Sequence, residues 1–119
     1  MIVGVGVDLV EIARIERAMK RTGFAERILT PMEREFCVKT HQVAGRWAAK
    51  EAVQKAVGLP LTWQDVEILP DEIGVPRATI RSANFDPGRL KIHVSISHER
   101  NHAIATAILE RIVFQAPAP

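Results

Sequence analysis

Cysteine is almost absent: Cys37 is the only one in 119 residues, which excludes an internal disulfide and fits a reducing compartment. Tyrosine is missing, and with four Phe and two Trp there are few platforms on which bases could stack. No long hydrophobic run occurs. The earliest one, Met1 to Val7, stops at Asp8 with no basic residue before it, so it is too short for a signal segment or a membrane span. The expected location is the cytoplasm. Gly4-Val5-Gly6 lacks the third glycine of a dinucleotide fingerprint, Leu9 standing in its place, and no Lys-Ser/Thr phosphate loop exists.

What is present is an ordinary globular mix, 47% hydrophobic and 25% charged. The length sets the expectation of one domain over residues 1–119, with a frayed Ala-Pro tail at 115–119. The net charge of +2 is unevenly spread. Residues 14–55 hold ten basic against five acidic side chains, a regional +5, and Arg outnumbers Lys by 11 to 5 over the chain. Guanidinium forks suit phosphate and carboxylate, so an anionic ligand or partner is one reading and a solvated helical face the other. A non-catalytic basic module that binds nucleic acid would use the same Arg-rich stretch.

The local pattern predicts an α+β fold, two or three helices followed by an antiparallel sheet in a single domain. Ile2, Val3, Val5 and Val7 read as a strand whose interleaved Gly4 and Gly6 permit close approach of another backbone, with Asp8 at its end. Leu9 to Lys20 has helical spacing, leaving Arg14, Arg17 and Arg21 on or near one polar face. Thr30-Pro31-Met32-Glu33 is a capping box with proline at the first helical position, so a helix begins there and runs towards Lys39. A second helical stretch, 42–57, carries Ala44, Trp47, Ala48, Ala52 and Ala56 and is stopped by Gly58 and Pro60. A hairpin follows, its strands around 66–68 and 77–81. After irregular residues 82–88 come a strand over 92–97 and another over 103–109. In the last, Ile104, Thr106 and Ile108 alternate with alanines, which favours strand over helix.

Three constellations could carry chemistry. Asp8 and Glu51 could converge on one hard cation, since Mg²⁺ takes one or two carboxylates plus waters and substrate phosphates. On the residues alone, a helix cap and a surface partner of Lys55 is the commoner reading. Arg46 with Lys50, and Glu51 with Lys55, are i,i+4 pairs that set cations beside a carboxylate, an arrangement for a pyrophosphate and its metal or for an exposed salt-bridged helix. Cys37, His41, His98 and His102 allow a zinc site to be drawn, but their spacing is unlike that of zinc motifs. His93 reads as a sheet-face residue.

Four segments in order carry a family resemblance: Val3-Gly4-Val5-Gly6-Val7-Asp8-Leu9-Val10-Glu11-Ile12, Phe24-Ala25-Glu26-Arg27-Ile28-Leu29-Thr30, Gly45-Arg46-Trp47-Ala48-Ala49-Lys50-Glu51-Ala52 and His93-Val94-Ser95-Ile96-Ser97-His98. Together they resemble the small, bacterial-type class of 4′-phosphopantetheinyl transferases, the holo-[acyl-carrier-protein] synthases. The resemblance implies transfer of 4′-phosphopantetheine from coenzyme A to a serine of apo-acyl carrier protein for fatty acid biosynthesis, with release of adenosine 3′,5′-bisphosphate. It implies Mg²⁺ held by Asp8 and Glu51, with Lys55 stabilising the leaving phosphate. Arg46, Lys50 and Lys55 would lie near the coenzyme A phosphates and His98 near the pyrophosphate. Arg14 and Arg21 would meet the acidic carrier protein, and the enzyme would be a homotrimer with active sites shared between neighbouring subunits. Two positions depart from the family pattern: Trp47 stands where Phe is usual, and Gly58-Leu59-Pro60 stands where Gly-Thr-Gly is usual. A family-like binding protein without activity is the reading that the second departure leaves open.

Overall fold

Strand β1 (Ile2–Glu11) lies antiparallel to β5 (His102–Arg111), which in turn pairs with β4 (Leu90–His98), so the first strand of the chain closes a sheet with the last two in the order β1-β5-β4. Between them come α1 (Ile12–Met19), α2 (Phe24–Ile28), α3 (Pro31–Phe36) and α4 (Thr40–Val57), then a separate hairpin of β2 (Val66–Pro70) and β3 (Pro76–Ile80). The computed structural model describes residues 1–113. The expected frayed tail at 115–119 lies outside the described residues. Among these residues no helix is long and apolar enough to cross a membrane.

The α+β class stands, and the structure settles its arrangement in two respects. The first strand, whose pairing the sequence left open, joins the C-terminal sheet, and the hairpin forms a sheet of its own. Long-range pairing of this kind leaves no mark on local periodicity. Short α2 also escapes the sequence pattern, because its five residues give too little periodicity and it is preceded by Gly23, whose φ of +83° only glycine adopts readily.

The long helix α4 explains the small residues of the chain. Its buried positions include Ala44, Gly45, Ala48, Ala49, Ala52 and Ala56, a smooth surface laid across one face of the sheet. Opposite its C-terminal half stand Gly4 and Gly6. A Cβ at Gly4 would lie 2.0 Å from the Ala56 carbonyl oxygen and one at Gly6 1.9 Å from that of Ala52, so only glycine permits this approach. Gly45, nearer the N-terminus of α4, faces Ile96 of β4. The helix therefore crosses the sheet from β4 to β1. The alanines of β5, Ala103, Ala105 and Ala107, are fully buried beneath it, while Ile104, Thr106 and Ile108 point to the other face. That alternation is what a strand requires.

Beside α4 the capping box works as read. Thr30 Oγ1 accepts from the Glu33 amide at 3.2 Å, and the Glu33 carboxylate accepts from the Thr30 amide at 2.7 Å. The helix it opens ends at Phe36, and α4 begins at Thr40.

Candidate active site

Asp8 does not end its strand. Pairing with β5 continues through Glu11 opposite His102, and Val10 is buried in the core, so the tertiary ladder carries β1 three residues further and α1 begins at Ile12 instead of Leu9. Asp8 thus caps no helix. With Gly4, Gly6 and Val10 it points to the face covered by α4, as the two-residue period of a strand demands.

From α4, Lys55 reaches back to this point. Its Nζ donates to Val7 O at 2.9 Å and to Asp8 Oδ1 at 3.2 Å, with about half of the lysine side chain still exposed. Glu51, one helical turn earlier, is half-buried on the same side. Burial pushes its carboxyl up from the ordinary glutamate range and the nearby Asp8 charge raises it further, while Lys55 and Arg14 pull it down. Asp8, Glu51, Lys55 and Arg14 therefore share one electrostatic neighbourhood. Asp8 and Glu51, a carboxylate from each side of the β1–α4 seam, are oxygen donors of the kind a hard divalent cation takes while it completes its shell with water and phosphate. The residues fit Mg²⁺. Among the described residues no group of three or more His, Cys, Asp and Glu converges as a metal cage, which leaves the drawn zinc site without support.

Next to Glu51 opens a small cavity of about 170 Å³ lined by Lys50, Glu51, Gln54, Leu61, Thr62, Trp63 and Val66. Gln54 braces its rim, donating to Leu59 O at 2.7 Å and accepting from the Leu61 amide at 2.9 Å, and Asn84 Nδ2 donates to Pro60 O at 2.7 Å. Gly58, at φ +73°, caps α4 in the left-handed conformation. The Gly58-Leu59-Pro60 segment is thus a hydrogen-bonded turn.

Lys50 is the clearest correction. Its ammonium is buried and donates to Glu33 Oε1 at 2.6 Å, Ile28 O at 2.8 Å and Trp63 O at 2.9 Å. All three protons are committed, so it offers nothing to a substrate phosphate. Burial lowers its pKa, and the Glu33 hydrogen bond and charge oppose that. Spacing placed it on the face of Arg46 but gave no sign that this face is covered by β2 and α3. Arg46 is half-buried, its Nε donating to Ile68 O at 3.3 Å.

His98 is likewise not beside Asp8 and Glu51 within one chain. Its ring lies 4.5 Å from that of His41 at the start of α4, ten residues and therefore about 15 Å of helix from Glu51. Ile12, Thr40, Glu99 and Arg100 complete a cavity of about 550 Å³ there. Arg14, exposed on α1, has its guanidinium 5.6 Å from the centre of the Trp47 ring. Arg21 lies just past α1, exposed, in a shallow pocket with Phe24 and Arg27. Arg14, Arg17 and Arg21 are all exposed. Glu33 and Trp63 are the residues of the site region that sequence reasoning passed over as site members, and His41 was drawn only as a zinc ligand. Glu33 alone had a signal, its capping box.

The fold, a helix of small residues packed on a sheet that the first strand closes, is shared with solved proteins of one family. The chain belongs to the 4′-phosphopantetheinyl transferase superfamily, whose profile matches residues 4–107. Within it, the chain is 47% identical over 120 residues to a holo-[acyl-carrier-protein] synthase from Exiguobacterium sp., covering 92% of this chain and 93% of that protein. Its structure superposes with a TM-score of 0.80 on the holo-(acyl-carrier-protein) synthase of Bacillus anthracis in complex with coenzyme A (3′,5′-ADP), 40% identical and covering 92% of this chain and 96% of that one. The Helicobacter pylori synthase in complex with coenzyme A gives a TM-score of 0.77 at 32% identity, over 89% of this chain and 99% of that one.

Proposed function

We infer that this chain transfers the 4′-phosphopantetheine group of coenzyme A to a serine hydroxyl of apo-acyl carrier protein, for fatty acid biosynthesis in the cytoplasm. The observation that carries the reading is that Lys55 of α4 is hydrogen-bonded to Asp8 of β1 while Glu51 stands one helical turn earlier on the same helix, in a member of this superfamily. A non-catalytic basic module would have no use for a carboxylate on each side of the β1–α4 seam.

The reaction forms a bond from the serine oxygen to the β-phosphorus and breaks the bond from that phosphorus to the bridging oxygen. The serine proton passes to a base, and adenosine 3′,5′-bisphosphate leaves. Asp8 and Glu51 would hold Mg²⁺, which supplies charge neutralisation for the pyrophosphate. Lys55, anchored to Val7 O and Asp8 yet half-exposed, is suited to stabilise the leaving phosphate. Arg46 and His98 are the further phosphate-binding candidates, and Arg14 with Arg21 would face the acidic carrier.

The same reading makes the enzyme a homotrimer with each active site shared between subunits. Two observations support this. The sheet face turned away from α4 exposes Val3, Val5, Val7, Leu9, Ile104 and Ile108, an apolar surface that water should not face. The His98 end of the chain also lies well away from its own Asp8 and Glu51, so a neighbouring copy can bring it to the coenzyme A phosphates. Val5→Asp with Ile108→Asp should dissociate the assembly in analytical ultracentrifugation. A monodisperse trimer in that variant would overturn the interface.

The test of function is intact-mass spectrometry of apo-acyl carrier protein incubated with the chain, coenzyme A and Mg²⁺. A gain of about 340 Da, abolished by EDTA, is expected for one phosphopantetheine. No gain with a folded protein would move the chain to the inactive, carrier-binding reading.

A further inference from the structure

The indole of Trp47 is fixed from several sides. Phe24 of α2 stacks at 5.8 Å with 25° between the planes, Trp63 lies 4.7 Å away at 30°, and the Arg14 guanidinium sits over the ring at 5.6 Å. Arg14 is an exposed side chain with no hydrogen-bonded partner among the described residues, and a free arginine of this kind samples many rotamers. The aromatic face removes that freedom through cation–π attraction. It leaves the guanidinium at a junction, close enough to Glu51 for its charge to act on the carboxyl and open to solvent on the outer side.

We propose that Trp47 is a positioning residue that holds the Arg14 guanidinium, by its ring face, at the boundary between the carrier-facing surface and the carboxylate pair. This rests on the reading of Arg14 as a contact for the acidic carrier. The residue that holds Arg14 is the indole present where the family usually has a phenyl ring, and an indole offers the stronger cation–π face. Ordering Arg14 before the carrier arrives removes an entropic cost from the encounter.

The experiment is a double-mutant cycle read as separate KM values for carrier and coenzyme A. Arg14→Ala should raise the carrier KM. Trp47→Leu should raise it by about threefold to tenfold with the coenzyme A KM unchanged, and Trp47→Phe by about twofold or less. The double variant should be no worse than Arg14→Ala, because Trp47 acts through Arg14. If Trp47→Leu adds its full effect on top of Arg14→Ala, Trp47 is merely packing and the proposal is overturned. If Arg14→Ala leaves the carrier KM unchanged, the carrier-facing reading of Arg14 fails first and takes the proposal with it.

A second measurement holds even where Trp47→Leu does not fold. In a Trp63→Phe background Trp47 is the sole indole, and adding Arg14→Ala should shift its fluorescence maximum or intensity. Identical spectra would show that the guanidinium does not rest on the ring in solution.

Discussion

Lys50 and Glu33 form an ion pair of 2.6 Å in which neither side chain is more than 2% exposed. The pair is fully bonded: Glu33 also accepts from the Thr30 and Ile68 amides, at 2.7 and 2.8 Å, and Lys50 donates to two carbonyls besides. It ties α3, α4, β2 and the turn before β2 into one unit directly behind Glu51. A buried charge of this kind is tolerated only while its partner remains.

Lys50→Met should therefore destabilise the fold by about 3–5 kcal/mol, because it leaves the Glu33 carboxylate buried without its cation. Lys50→Met with Glu33→Gln should recover part of that loss in urea denaturation. A Lys50→Met protein of full stability would show that the pair is broken in solution.

Asp8→Ala and Glu51→Ala should leave the fold intact and reduce Mg²⁺-dependent transfer by roughly two to three orders of magnitude, the several kcal/mol that a bound cation supplies. Calorimetric titration with Mg²⁺ in the presence of coenzyme A should lose its signal in both. Normal turnover of Asp8→Ala at saturating Mg²⁺ would remove Asp8 from the metal site.

The Glu51 carboxyl is raised above the ordinary range by burial and by Asp8. A raised carboxyl is protonated first as the pH falls, so Mg²⁺ affinity should be complete above its folded-state pKa and decline on acidification at a higher pH than an ordinary glutamate would give. Arg14 and Lys55 oppose the shift, so Arg14→Ala should move the decline to still higher pH. Mg²⁺ titrations across pH 5–8 check both signs. An unmoved midpoint in Arg14→Ala would mean that Arg14 stands further from Glu51 in solution.

Gly6→Ala would bring a methyl group to 1.9 Å from the Ala52 carbonyl oxygen, and backbone on both sides leaves no soft group to yield. We expect a loss of about 3 kcal/mol, at the upper end of overpacking costs, with separation of β1 from α4. Since Asp8 and Glu51 lie across that seam, transfer should fall even at temperatures where the variant remains folded. Wild-type activity in folded Gly6→Ala would mean that the seam can open without disturbing the pair.

Arg14→Glu should raise the carrier KM far more than the coenzyme A KM, and wild-type carrier affinity should weaken with salt through screening over about 8–10 Å. Initial rates at 50 and 300 mM salt, with each substrate varied in turn, separate the two. Equal effects on both KM values would point to general damage.

Much of the fold around the candidate site was legible because its signals are local. Thr30 to Glu33 announced a helix start, Gly4 and Gly6 announced a close backbone contact, and the alternating alanines of β5 announced a strand. Lys50 was misread because helical spacing gives a face without saying what covers it. Glu51 and Lys50 are neighbours in sequence, one turned to the carboxylate seam and the other to a buried anion.

The sequence by itself determined most of the element types, the small-residue helix, the carboxylate candidates and the regional positive charge, since each follows from propensity, periodicity or composition. Only the tertiary structure decided that β1 runs to Glu11 and joins the last strands. Only it decided that Glu33 neutralises Lys50, and that His98 stands against His41 about 15 Å along the helix from Glu51. These are contacts between residues far apart in the chain, set by which surfaces bury one another.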